Sequence, residues 1–544
     1  MVRAGIHQTD HDILPAAPST PAAPLRVRLQ QWLRPATLLL YLLALAGAPG
    51  LLRGAVASIG EGAAATGSPG AGNSAAAAAA GAGIRFTPCR LVHPSQILAV
   101  DAECGHLNVS ENPAAPGGRQ IALNIARVPA VSENKRPDPL FLLAGGPGQA
   151  ATVLYTEVAP MLALIHRDRD IILLDQRGTG GSNFLGCPED PTPHPTPAQT
   201  VTDARDCLAK LATHADPAFY TTSLAVRDLE AVRRALGYAH INLYGASYGT
   251  RVAQQYLRRH PAQVRTLILD GVVPPQMNIG VDGAIDAQHS LEHILARCTA
   301  TPACRQRFGD ALATFDAVHR RLLLHPASVS LPDPSTAEPR TLEFGAEDLA
   351  TVVHIASYGT DQAALLPLDL DQASRGNFIP LAAQLLIYER SLREDVADGM
   401  YASVICSEDA PGFATADRAA LALTYMGTAP LADLAATCSV WPRGPVDPDL
   451  HAPLVSATPV LLLSGSDDPV TPPVYAREAA AHLSHALQVV LQGLGHGQVT
   501  APCVDRLMQR FLDTAAVTGL DAELACAERA RPAPFAVSFA GPPP

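Results

Sequence analysis

The stretch Ile241-Asn242-Leu243-Tyr244-Gly245-Ala246-Ser247-Tyr248-Gly249 runs from four strand-forming residues into a serine bracketed by glycines. Ile241 to Tyr244 has the apolar character of a strand buried on both faces, and the residues after Gly249 read as a helix ending near His260-Pro261. A sharp strand-to-helix turn strains the serine backbone and exposes its hydroxyl, while the flanking glycines let neighbouring backbone come close. The five-residue pattern alone occurs by chance. In its strand-turn-helix context it marks Ser247 as a nucleophile.

Outward from this turn, short apolar runs recur at Leu140 to Ala144, Ile171 to Asp175, Thr266 to Leu269, Val460 to Ser464 and Leu487 to Leu491. Between them lie helical patterns. Leu224, Ala225, Leu229, Val232 and Leu236 form one stripe, and Gly237 is placed to end that helix. Strands alternating with helices predict right-handed crossovers and a parallel sheet whose reactive residues gather just after the strands. From Pro274 to about Pro453 the alternation weakens; Ala and Leu dominate, with breaks at Pro326, Pro332, Pro334 and Pro339. This predicts a mostly helical cap over the sheet's carboxyl edge.

A serine hydroxyl needs a base, and the base needs an orienting acid. After the run Val460 to Ser464 comes Gly465-Ser466-Asp467-Asp468-Pro469-Val470-Thr471-Pro472; after Leu487 to Leu491 comes Gly493-Leu494-Gly495-His496-Gly497. The order Ser, Asp, His on strand-end loops predicts an α/β-hydrolase fold with Ser247, Asp468 and His496 as the triad. Asp467 is assigned to capping or solvating the loop. The tetrahedral oxyanion needs two N–H donors. The Tyr248 amide is one, and the Gly145-Gly146-Pro147-Gly148 turn offers Gly146 as the other. That turn lacks the Lys-Ser/Thr of a phosphate-binding loop.

Gly145-Gly146-Pro147-Gly148, Asp175-Gln176-Arg177-Gly178-Thr179-Gly180-Gly181-Ser182 and Gly245-Ala246-Ser247-Tyr248-Gly249 together resemble the prolyl iminopeptidase and tripeptidyl aminopeptidase group of α/β-hydrolases. Asp468 to Pro472, His496 and Cys438-Ser439-Val440-Trp441-Pro442 resemble that group's tripeptidyl aminopeptidase-like C-terminal region. The resemblance implies hydrolysis of a peptide bond near a free N-terminus, with peptides as the partners and with cap carboxylates holding the substrate's ammonium. Glu408 and Asp409 of Cys406-Ser407-Glu408-Asp409 are the tentative candidates for that role. The Asp175 to Ser182 loop is read as a structural turn, with Arg177 pairing a carboxylate. Prolyl iminopeptidases carry His before the glycine turn; Ala144 stands here, which argues against a dedicated preference for N-terminal proline. A carboxylesterase or lipase using the same triad is the alternative, and a non-catalytic hydrolase-fold binding protein a remote one.

The rest of the chain bears on location. Arg28 and Arg34 precede an apolar run from Ala36 to Ala46, and Ala55-Val56-Ala57 is a small-residue cleavage pattern. The run is shorter than the roughly 20 residues of a membrane helix, so no stable span is expected after cleavage and an N-terminal anchor is the alternative. The predicted organisation is a signal region at 1–57, an Ala/Gly-rich linker at 58–83, core at 84–274, cap at 275–455, core again at 456–530 and a Pro-rich tail at 531–544. All ten cysteines follow the cleavage pattern, which suits a secreted or periplasmic protein with disulfides. Sequence neighbours (Cys89 and Cys104, Cys187 and Cys207, Cys298 and Cys304, Cys406 and Cys438, Cys503 and Cys526) invite pairing, but the sequence leaves it open. No Cys/His cluster has zinc spacing, so neither metal nor cofactor is expected. The net charge of -12 argues against a nucleic-acid partner.

Overall fold

The computed structural model describes residues 83–96, 98–187 and 194–542. The expected signal region and the linker up to residue 82 lie outside the described residues. Each apolar run forms its strand within a nine-stranded sheet of order β1-β2-β3-β5-β4-β6-β7-β10-β11. These are β1 (Thr87–Val92), β2 (Ala99–Ser110), β3 (Gln120–Val128), β4 (Leu140–Leu143), β5 (Ile171–Leu174), β6 (Ile241–Ala246), β7 (Val264–Asp270), β10 (Val460–Gly465) and β11 (Ala486–Leu491). From β5 through β4, β6, β7 and β10 to β11 all neighbours are parallel. β1, β2 and β3 add an antiparallel edge that the search for continuous apolar runs does not find. In β3 the apolar residues alternate: Ile121, Leu123 and Ile125 are buried between Gln120, Ala122 and Asn124.

Helices cover both faces of the parallel strands. Phe141, Leu143, Ile172, Leu243 and Leu462 pack with the helices Thr222–Leu236 and Tyr248–Arg259; Leu140, Leu142, Leu173, Leu461 and Leu463 pack with Ala151–Val158 and Val504–Thr514. A fully buried side chain of this size contributes about 1.5–3 kcal/mol. Two such layers make a stiff frame for the loops at the strand ends. Gly237 ends the helix Thr222–Leu236 at φ 77°, as predicted.

Between β7 and β10 the chain forms helices with an apolar core of their own, including Leu291, Phe315, Phe344, Leu349, Val353 and Leu381. The prolines read as breaks there also bound a hairpin, β8 (Ala327–Pro332) with β9 (Pro339–Phe344), in which Pro332 faces Pro339 at the end of the ladder. At that end a missing N–H is tolerated. The described part of the Pro-rich tail is not loose: Phe535 is buried in the cap's core and Ala536 N–H donates to the Ala364 carbonyl at 3.1 Å. All ten cysteines are paired, each with the sequence neighbour named above.

Candidate active site

Ser247 sits between β6 and the helix Tyr248–Arg259 at φ 53°, ψ -125°, a backbone conformation that costs a non-glycine residue of order 1–3 kcal/mol. Its neighbours hold it there. The Ser247 N–H donates to the Asp270 carbonyl at 2.8 Å, and the Ser247 carbonyl accepts from Thr250 N–H at 2.8 Å and Thr250 Oγ1 at 2.6 Å. A Cβ on Gly249 would collide with the carbonyls of Leu143 and Ala144 at the end of β4, so only glycine lets helix and strand close around the turn. Ser247 is half-buried, and among the described residues its Oγ makes no hydrogen bond.

Asp468 and His496 meet across the loops after β10 and β11. His496 Nδ1 lies 2.9 Å from Asp468 Oδ2, and that oxygen also accepts from Thr471 Oγ1 at 2.6 Å. Asp468 Oδ1 accepts the N–H groups of Val470 and Thr471 at 2.9 and 2.8 Å. Burial works against the carboxylate, but the charge and hydrogen bond of His496 and the Thr471 donors hold it below its ordinary range. Burial likewise disfavours the imidazolium of His496, yet the Asp468 carboxylate, and behind it Asp270, hold the ring above its ordinary value. Asp467 points elsewhere, its Oδ2 3.3 Å from Arg297 of the cap.

The sequence reading missed three contributors. Asp270, at the end of β7, links the two halves of the site: its carbonyl takes the Ser247 N–H, and its carboxylate takes the N–H groups of Gln498 and Val499 at 2.7 and 2.9 Å. The signal was an acid directly after a predicted strand and before Gly271, where a Cβ would stand 2.8 Å from His496 Cε1. Thr471 lay within the quoted loop, but nothing in the sequence says that its hydroxyl faces both Asp468 and His496, the latter at 3.0 Å. Tyr358 comes from the cap. Its carbonyl accepts His496 N–H at 2.8 Å and its ring stands edge-on to the imidazole, 5.1 Å between centroids. Behind it, burial pushes His354 down to about 4, so that ring is neutral near pH 7 and leaves the His496 charge unopposed.

The glycine turn lies against the serine: a Cβ on Gly145 would be 3.0 Å from Ser247 Cβ. Among the described residues the Gly146 N–H has no acceptor, and Tyr248 opens its helix, where an N–H lacks an intrahelical partner. The loop after β5 braces this turn. Asp175 accepts Thr152 N–H at 3.0 Å, at the start of the helix that follows the turn, and Arg177 forks onto Asp228 at 2.6 and 2.8 Å, the pairing with a carboxylate expected above.

Glu408 and Asp409 do not take the place expected of them. Glu408 is 3% exposed and Asp409 fully buried. Glu408 accepts Thr222 N–H at 2.6 Å and Thr222 Oγ1 at 2.8 Å, and that hydroxyl is 2.6 Å from Tyr248 Oη. Asp409 accepts from Arg251 Nη1 at 3.0 Å and Ile279 N–H at 2.8 Å. Burial pushes Glu408 up to about 7 despite Arg251. Both carboxylates are buried, and their oxygens are taken by protein donors rather than left open for a substrate ammonium. The pair instead ties the cap to the back of the serine's helix.

A strained serine, a buried acid-histidine pair and free amides, all at the carboxyl ends of parallel strands, are the working parts of α/β-hydrolases. The alpha/beta hydrolase fold model matches residues 138–499, and the chain belongs to that family. Serine protease Hip1 of Mycobacterium tuberculosis (strain ATCC 25618 / H37Rv) is 25% identical to it over 468 residues, covering 79% of this chain and 88% of that one. Carboxylesterase B of the same strain is 29% identical over 499 residues, with 83% and 92% covered. Tripeptidyl aminopeptidase of Streptomyces lividans is 28% identical over 240 residues, with 39% and 44% covered. Family and relatives together support a serine hydrolase.

Proposed function

We propose that this protein is an exported serine aminopeptidase that cleaves peptide bonds near a free N-terminus. Ser247 attacks the carbonyl as neutral His496 takes its proton, Asp468 holds the ring, and the amides of Gly146 and Tyr248 stabilise the oxyanion. His496 then protonates the leaving amine, and water hydrolyses the acyl-enzyme by the reverse proton path. The observation that carries this reading is the 2.9 Å contact between His496 and a buried Asp468, locked through Asp270 to the strained Ser247 turn. The motif resemblance and the two peptidase-named relatives support a peptide substrate. Five disulfides fit an oxidising compartment, and among the described residues no helix is long and apolar enough to cross a membrane.

The relative named carboxylesterase B supports a second reading, an esterase with the same triad. Turnover of fluorogenic peptides with free or acetylated N-termini, beside a short-chain ester, separates the two. An aminopeptidase loses peptide cleavage on acetylation; an enzyme indifferent to acetylation with strong ester turnover is the esterase.

The pH profile tests the base. His496 acts only when neutral and its pKa is raised, so kcat/KM should fall as pH drops, with the midpoint above the ordinary value of about 6.5. A profile flat from pH 5 to 8 would remove His496 from the mechanism.

A further inference from the structure

Beside the glycine turn, three side chains from distant parts of the sequence converge. His93 follows β1, Glu157 lies in the last turn of the helix Ala151–Val158, and Asp395 ends the cap helix Ile379–Asp395. His93 Nε2 is 3.1 Å from Glu157 Oε1 and 4.0 Å from Asp395 Oδ1, and the three atoms lie within 4.8 Å of one another. Asp395 Oδ1 is closed off from solvent yet accepts no hydrogen bond. Even a protonated His93 would bring one positive charge to two carboxylates. We propose that His93, Glu157 and Asp395 bind a divalent first-row cation of the zinc class, which fastens the end of the cap helix to the core beside the oxyanion turn.

The donor set suits such an ion: one imidazole nitrogen and two carboxylate oxygens, with water completing the shell. Metal–ligand distances of about 2.0–2.2 Å bring neighbouring ligand atoms to roughly 3.3–3.5 Å, so from separations within 4.8 Å the carboxylates close by no more than about 1.5 Å. Two ligands already have supporting hydrogen bonds. Ser391 Oγ donates to Asp395 Oδ2 at 2.9 Å, and Ser95 meets His93 Nδ1 with its N–H at 3.1 Å and its Oγ at 2.7 Å. With Ser95 N–H donating to Nδ1, Nε2 carries the ring proton and donates to Glu157. The cation takes that place, and the proton moves by way of solvent to Nδ1, where Ser95 Oγ turns to accept it while Ser95 N–H gives up its contact with Nδ1.

The position gives the ion a mechanical role. The helix carrying Glu157 begins directly after the turn, and Asp395 precedes the two residues lying on it. Val396 pairs with Gln149 in an antiparallel bridge, and Ala397 N–H donates to the Gly148 carbonyl at 3.0 Å. A cation held there pins both sides of the turn that presents the Gly146 N–H.

The test uses the full folded chain, stripped with a chelator and titrated with zinc chloride by calorimetry and thermal unfolding. One equivalent should bind, and zinc at a hundredfold excess over Kd should raise the unfolding midpoint by about 2–4 °C. Both effects should vanish in His93→Ala and Asp395→Asn. They should persist in His194→Ala, which removes a His-carboxylate contact elsewhere in the fold, with Glu347 and Asp348. Without zinc, Asp395→Asn should unfold no earlier than the parent, because it relieves repulsion with Glu157 and leaves no donor unpaired inside the cluster. Absence of binding, or equal binding by the parent and both site variants, overturns the proposal.

Discussion

Ser247→Ala is expected to lower turnover of any substrate by on the order of 10⁵–10⁶ while leaving the unfolding midpoint within about 1–2 °C of the parent. The two halves of this expectation have separate causes. The chemistry is lost because the attacking oxygen is lost, whereas the fold is spared because Ser247 Oγ makes no hydrogen bond among the described residues and the turn is held by the Asp270 carbonyl and Thr250. Covalent labelling by a fluorophosphonate should disappear with the activity. Asp468→Asn should cost roughly 10⁴ by leaving His496 in the wrong tautomer, and Asp467→Asn, which faces Arg297, less than about tenfold. Turnover above about one hundredth of the parent's in Ser247→Ala would move the nucleophile elsewhere.

Arg251→Met is expected to destabilise the protein by about 3–5 kcal/mol, read as a drop of roughly 3–5 °C in the unfolding midpoint. Arg251 is 1% exposed and is the cation facing Asp409 at 3.0 Å and Glu408 at 3.8 Å, both carboxylates being closed to water. Removing it leaves two acids buried together without a counter-charge. The penalty comes from the unpaired charges rather than from any large net value of the ion pair. Arg251→Met combined with Asp409→Leu should therefore unfold later than Arg251→Met alone. A single variant within 1–2 °C of the parent would show that water or proton uptake relieves the cluster, Glu408 being already poised near 7.

Much of the parallel sheet and the strand-end positions of Ser247, Asp468 and His496 were legible because each rests on short-range signals: an apolar run, a turn with glycines, a polar residue directly after it. β1, β2 and β3 were not, because an antiparallel edge with one covered face alternates instead of running apolar. The β8–β9 hairpin hid behind prolines that break helices and end strands alike. Glu408 and Asp409 show the limit in the other direction. A carboxylate pair beside a cysteine reads the same whether it faces a pocket or an arginine, and Arg251 lies 158 residues from Asp409 in the chain.

The sequence alone determined the α/β-hydrolase class and the strand-end loops on which a serine, an acid and a histidine would stand, because periodicity and turn chemistry are local properties. Only the tertiary structure decided which contacts those loops make. Asp270 joins the serine turn to the histidine loop, Tyr358 comes down from the cap onto His496, and His93, Glu157 and Asp395 gather from three separate segments. Such contacts depend on how the strand-end loops, the β1 edge and the cap come together, across separations of 64 residues for His93 and Glu157 and 228 for Asp270 and Gln498, so no spacing along the sequence records them.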